Sequence, residues 1–113
     1  MIRLPQIDSS ERTHGRLRLQ FVVPASLEYF QGHFPAVALL PGVVQTGWAI
    51  QLARREFTIT ADFRALAGVK FMRVIQPGDA VALELTCSED RRELSFEYRC
   101  GSAVCSSGRA LFH

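Results

Sequence analysis

The sequence predicts an α+β fold in which a curved antiparallel sheet wraps one long central helix, and three observations predict it. Residues 16–23 alternate, with Leu17, Leu19, Phe21 and Val23 on one face and Arg16, Arg18 and Gln20 on the other. That is the period of a half-buried strand. A run opening at Pro41-Gly42 and reaching about Arg55 is apolar nearly all round, through Val43, Val44, Trp48, Ala49, Ile50, Leu52 and Ala53. The remainder of the chain alternates again between turn signals. A helix with no polar face, and no membrane to receive it, has to be covered by other structure, and an antiparallel sheet supplies that cover.

Taken in order, residues 1–15 are mixed and polar and predict little regular structure beyond an edge segment. The strand at 16–23 stops at Pro24, which has no N–H for the ladder. Residues 25–40 read as a loop or short helix holding three aromatics, a glycine and a histidine. The helix then opens on Pro41, whose missing N–H costs nothing in a first turn. It closes on Arg54 and Arg55, where cations suit the negative end of the helix dipole. Residues 66–74 predict a strand, ended by the Gln76-Pro77-Gly78-Asp79 turn. Val81, Leu83, Leu85 and Cys87 alternate with Ala82, Glu84 and Thr86; Leu94, Phe96, Tyr98 and Cys100 alternate with Ser95, Glu97 and Arg99. Gly101-Ser102 is a two-residue hairpin turn, and a last strand runs through Gly108 to Phe112. One sheet of this size leaves an edge strand uncovered, which predicts a homodimer joined edge to edge.

Composition bounds the function. At 113 residues the chain is one domain spanning 1–113, and 48% hydrophobic with 21% charged residues is ordinary for a soluble globular protein. A formal charge of +2 is too small to imply nucleic acid; there is no basic stripe, and the aromatics sit at core-like positions. No run is apolar enough to span a bilayer, and the N-terminus, with Arg3, Asp8, Glu11 and Arg12, is no secretory signal. A cytoplasmic protein is expected. Cys87, Cys100 and Cys105 then read as small buried hydrophobes in a reducing compartment. No cysteine–histidine spacing suggests zinc, and neither a metal nor a cofactor is expected.

The stretch that carries chemistry is Tyr29-Phe30-Gln31-Gly32-His33-Phe34-Pro35, followed by Leu39-Leu40-Pro41-Gly42-Val43-Val44-Gln45. A lone loop histidine is ordinarily satisfied by backbone, and a lone Pro-Gly is ordinarily helix punctuation. Here His33 is flanked by aromatics, lies just ahead of a helix start, and faces a glycine at that start. The first N–H groups of a helix are unpaired and sit at its positive end. The Gly42 amide can therefore polarise a carbonyl oxygen as negative charge moves onto it, while a neutral imidazole at His33 takes the neighbouring proton.

This stretch resembles the signature of the β-hydroxyacyl-acyl-carrier-protein dehydratases, small hot-dog proteins of fatty acid synthesis. Their pattern is His-Phe-Pro-Gly, four further residues, then Pro-Gly-Val-Leu or similar, and the spacing from His33 to Pro41 matches it. The resemblance continues through Val69-Lys70-Phe71-Met72-Arg73 and Gln76-Pro77-Gly78-Asp79, covering the chain from about Leu17 onward. The nearest form is that of the short dehydratase-like proteins of aryl polyene and related lipid clusters, which share the Leu-Pro-Gly-Val-Val-Gln wording.

The resemblance implies a hot-dog fold and a 3-hydroxyacyl-acyl-carrier-protein dehydratase, a lyase of fatty acid or polyene-type lipid synthesis. It makes His33 the catalytic histidine, Gly42 the donor of the carbonyl-polarising amide, and Gln51 the helix glutamine that orients the acid. It also implies an acidic carrier protein as partner, with Arg54, Arg55, Arg64, Lys70 and Arg73 as the candidate docking cations. Phe34, Val43, Trp48 and Phe71 are candidates to line the acyl channel, each equally a candidate for ordinary core.

Three positions depart from the pattern. Ala36 replaces its glycine and Ala38 its later proline, both loop changes. The third is Gly47, on the substrate-binding face, where the family places the Glu or Asp that protonates the leaving hydroxyl. A glycine cannot be an acid. A water held by Gln51 or Gln45, the Thr46 hydroxyl, a carboxylate such as Glu28 or Asp62, or a related subunit in a heterodimer could replace it. The alternatives to a working dehydratase are an impaired carrier-binding or partner subunit and a hot-dog acyl thioesterase.

Overall fold

The computed structural model describes residues 4–24 and 39–113. Its elements are β1 (Ser9–Thr13), β2 (Arg16–Val22), α1 (Gly42–Phe57), β3 (Phe63–Phe71), β4 (Ala80–Cys87), β5 (Glu93–Cys100) and β6 (Ala103–Phe112). All six strands form one sheet in the order β1-β2-β4-β5-β6-β3, with every pairing antiparallel. The sheet therefore ends on β1 at one edge and β3 at the other.

The alternation in the sequence sets the inner face. Leu17, Leu19 and Phe21 of β2 pair in register with Leu85, Leu83 and Val81 of β4, and all six are buried. Leu94, Phe96 and Tyr98 continue that face on β5. Against it lie Trp48, Ala49, Leu52 and Ala53 of α1, none of them with measurable exposure. The two alanines let the helix backbone come close, while Trp48 meets Phe21 edge-to-face at 5.7 Å. Each leucine buried this way contributes about 1.5–3 kcal/mol. On the wet side Arg18, Glu84, Arg99 and Glu97 form a cross-strand ladder of ion pairs, with separations of 3.0, 3.5 and 2.7 Å. Such exposed pairs add little stability.

Two expectations from the sequence shift. The strand expected at 66–74 lies three residues earlier, over Phe63–Phe71. Its register slips against β6 between Ala67 and Lys70, where Gly68 takes φ +60°, and this bulge scrambles the alternation. Past its end the Met72 and Arg73 amides both donate to the Cys105 carbonyl, at 2.8 and 3.0 Å. The helix, expected to be enclosed all round, buries one side. Among the described residues the other side, with Val43, Gly47, Ile50, Gln51, Arg54 and Arg55, is exposed or half-buried. The sheet reaches only one flank of the cylinder.

The helix C-terminus is tied to the sheet. Thr58 adopts the left-handed conformation and its N–H returns to the Arg54 carbonyl, as in common helix ends. The Arg54 guanidinium donates to the carbonyls of Ile59 and Ala61 and lies 5.1 Å from the Phe112 ring centroid. At the other end, the Gln76–Asp79 turn closes through Asp79 N–H to the Gln76 carbonyl. It is stitched to β2 by Gly78 N–H to the Val23 carbonyl and by Val23 N–H to that of Asp79, both at 2.9 Å. No described helix is long and apolar enough to cross a membrane.

Candidate active site

The start of α1 has an unusual polar environment for a core helix. Pro41 is its N-cap, in extended conformation; among the described residues no side chain caps it, and the first turn has no acidic residue. Val44 and Gln45 donate to the Pro41 carbonyl, at 3.0 and 3.1 Å. Among the described residues no acceptor faces the Gly42 amide, as expected of the first N–H in a helix.

Among the described residues, a set of buried and part-buried hydrogen bonds holds the backbone on either side of that amide. The Leu40 N–H donates to the Ile75 carbonyl at 2.6 Å. The Gln45 side chain, only 3% exposed, donates from Nε2 to the Leu40 carbonyl at 3.0 Å. Its Oε1 accepts from the Ser106 hydroxyl at 2.6 Å. The Tyr98 hydroxyl donates to the Gln45 carbonyl at 2.7 Å, and the Thr46 hydroxyl to those of Gly42 and Val43 at 3.2 Å each. Gln45, Thr46 and Ser106 are the buried polar residues among those described, so the polar content of the core is gathered at this helix end. Full burial pushes the Tyr98 phenol well above its usual pKa, which keeps it a donor.

Phe71, at the end of β3, lies over Gly42. A Cβ at residue 42 would stand 2.6 Å from the tip of its ring, so glycine is what lets strand and helix meet here. A cavity of about 270 Å³ opens beside them, lined by Leu40, Gly42, Gln45, Phe71, Met72 and Arg73 among others. It is small for a complete ligand site.

The residues singled out in the sequence fall into three groups. Gly42, Val43, Phe71 and Arg73 come together at the helix start, with Val43 largely exposed. Gly47 and Gln51 follow on the half-buried side of the helix, one turn apart. Gln51 lies about 14 Å along the axis from Gly42 at 1.5 Å per residue. Arg54 and Arg55 lie at the far end, Arg54 in the turn described above and Arg55 paired with Glu56. Arg64 and Lys70 are exposed on β3. Trp48 sits in the core. His33, Phe34 and Glu28 lie outside the described residues. Of the substitutes for the missing acid, Gln45 and Thr46 already hold helix-start partners, and Asp62 is exposed beyond the C-terminal end of α1. Among the described residues no group of His, Cys, Asp or Glu is placed to hold a metal, and the three cysteines are free thiols.

Sequence reasoning missed Tyr98 and Ser106. A signal for each was there: Ser106 shares its strand phase with the inward Gly108, Ala110 and Phe112, and Tyr98 with Leu94 and Phe96.

A helix held in a curved antiparallel sheet, with its Pro-Gly start under a strand end, defines a hot-dog protein. The chain belongs to the ApeI-like family, described as ApeI dehydratase, whose model matches residues 9–109. A solved structure titled the dehydratase heterocomplex ApeI:P from Xenorhabdus doucetiae matches with a TM-score of 0.88 at 28% identity. That match covers 96% of this chain and 97% of that one. An uncharacterised protein from Erwinia carotovora subsp. atroseptica matches with a TM-score of 0.80 at 27% identity, over 100% and 97% of the two chains. The 3-hydroxyacyl-acyl-carrier-protein dehydratase FabZ of Chloroflexus aggregans is 37% identical over 97 residues. The match takes in 80% of this chain and 65% of that relative, so the chain spans just under two thirds of its length.

Proposed function

We propose that the chain is a 3-hydroxyacyl-acyl-carrier-protein dehydratase-type lyase of fatty acid or polyene-type lipid synthesis, acting in the cytoplasm. The observation that carries this reading is the Gly42 amide at the helix start, without an acceptor among the described residues and lying under Phe71 in a member of a dehydratase family. The thioester oxygen accepts from that amide, and His33 takes the α-proton as charge builds on the oxygen. The C2–C3 double bond forms as the C3–O bond breaks, and the hydroxyl leaves as water once protonated.

Gly47 withholds the proton donor for that last step. The acid comes from a second subunit, in keeping with the heterocomplex named for the Xenorhabdus relative, and dehydration by the isolated chain is slow. The surface for a second subunit, identical or related, is the β3 edge. Phe63, Leu66 and Phe71 on that strand, and Met72 and Val74 just after it, are all exposed large hydrophobics. An unpaired apolar edge of this kind ordinarily joins another chain. The acidic carrier protein docks on Arg73, which lines the cavity.

Mass spectrometry of a defined 3-hydroxyacyl-acyl-carrier protein incubated with the chain tests this. Slow loss of one water, abolished by His33→Ala, is the expected result. Hydrolysis to the free acid would replace the reading with a thioesterase. Loss of water undiminished in His33→Ala would remove His33 from the mechanism.

A further inference from the structure

We infer that Gln45, with Ser106 and Tyr98, is a positioning device that sets where the Gly42 amide points during catalysis. The inference rests on the dehydratase reading above and adds residues to it. Gln45 contacts three separate parts of the fold. Its Nε2 holds the Leu40 carbonyl, just before the helix; its Oε1 is held by Ser106 of β6; its own carbonyl is held by Tyr98 of β5. The carbonyls of Leu40 and Gly42 bracket the Gly42 N–H along the chain. Gln45 fixes the first and Thr46 the second.

Helix stability alone does not call for this arrangement. An apolar pair at residues 45 and 106 would bury against the sheet as Val44 and Trp48 do, with no side-chain polar group to satisfy. A glutamine buried to 3% exposure, opposite a serine with none, is tolerated because every polar atom is paired. Such a network loses its value if one member is removed, since the remaining group is stranded in a low-dielectric interior. What it supplies is geometry. Two bonds from strands β5 and β6 fix the rotation and height of the first helical turn, where an amide has to meet a developing oxyanion. An aim that drifts by an ångström costs on the order of a hundredfold in rate.

The test compares the full chain with Ser106→Ala and, separately, Tyr98→Phe, each removing one donor. Single-turnover dehydration of a defined 3-hydroxyacyl-acyl-carrier protein is measured well below each variant's unfolding midpoint. A Gly47→Asp background is used if the unmodified chain is too slow. Positioning predicts a fall in kcat of about tenfold with KM unchanged, because the amide is engaged most strongly in the transition state. It also predicts faster hydrogen exchange at residues 42–46 with the Leu83 and Leu94 amides unaffected. An unchanged kcat in a fully folded Ser106→Ala protein overturns the inference, whatever happens to its melting temperature. A parent protein that dehydrates nothing on either background overturns the dehydratase reading before any variant is compared, and the inference with it.

Discussion

The ring of Phe71 rests on Gly42 so closely that a single added methyl would stand 2.6 Å from its tip. The last residue of the edge strand is thus in contact with the first residue of the helix. The proposed carbonyl-binding amide and the proposed channel lining are one contact. Because Phe71 is also 54% exposed, the ring has somewhere to go, and the contact is adjustable without unfolding the chain.

Gly42→Ala accordingly moves the ring and leaves the fold standing. Overpacking costs about 1–3 kcal/mol, offset in part by alanine's better helix propensity. The expected result is a melting temperature within a few degrees of the parent and a drop in kcat/KM of about ten- to a hundredfold. Thermal melts and acyl-carrier-protein turnover check the two halves independently.

The docking cations separate by position. Arg54 donates to two carbonyls and lies over Phe112 at the end of the helix, about 18 Å along the axis from Gly42. Arg54→Ala should destabilise the chain by about 1–3 kcal/mol and leave the KM for the acyl carrier protein unchanged. Arg73→Glu, at the cavity, should do the reverse: raise that KM severalfold, more so at low salt, with little change in melting temperature.

Stability should fall on the alkaline side, and the groups responsible can be named. Burial and the neighbouring Cys105 thiol push Cys100 up to about 12, against an ordinary thiol value of 9.0. Burial raises Cys87 in the same direction, and Tyr98 well above 10.0. All three are neutral in both states at pH 7. From about pH 9 the unfolded chain releases thiol protons that the folded chain retains, and from about pH 10 it releases the Tyr98 proton as well. The unfolded state then binds fewer protons, so stability drops as pH rises. Tyr98→Phe should be less stable than the parent at pH 8, because the Gln45 carbonyl loses its donor, yet show a flatter decline above pH 10. Urea titrations between pH 8 and 11 measure both slopes.

Much of the fold was legible because one sheet face is wet and the other dry. Leu17, Leu19 and Phe21, or Leu94, Phe96 and Tyr98, announce their strands by alternation, and Pro41-Gly42 marks the helix start to the residue. β3 was misplaced by three residues because its bulge at Gly68 breaks the two-residue period that the reading depends on. The site was legible in its local parts only. Pro41-Gly42 with Phe71 could be named from a motif, whereas the Gln45–Ser106 bond joins positions 61 apart and exists only once β6 has crossed the sheet. The sequence offers Gln45, beside Gln51, as a holder of water for the missing acid; in the fold its side chain instead bonds Leu40 and Ser106.

The central claim is that this helix start forms a dehydratase site lacking only its proton donor, and Gly47→Asp tests it most directly. The purified variant and its parent would be given the same 3-hydroxyacyl-acyl-carrier protein and the loss of water followed by mass spectrometry. A positioned general acid contributes on the order of a hundredfold or more, so a rise of that size is predicted, and it should vanish when His33→Ala is added. A variant no faster than its parent, or a gain that survives the loss of His33, would contradict the account.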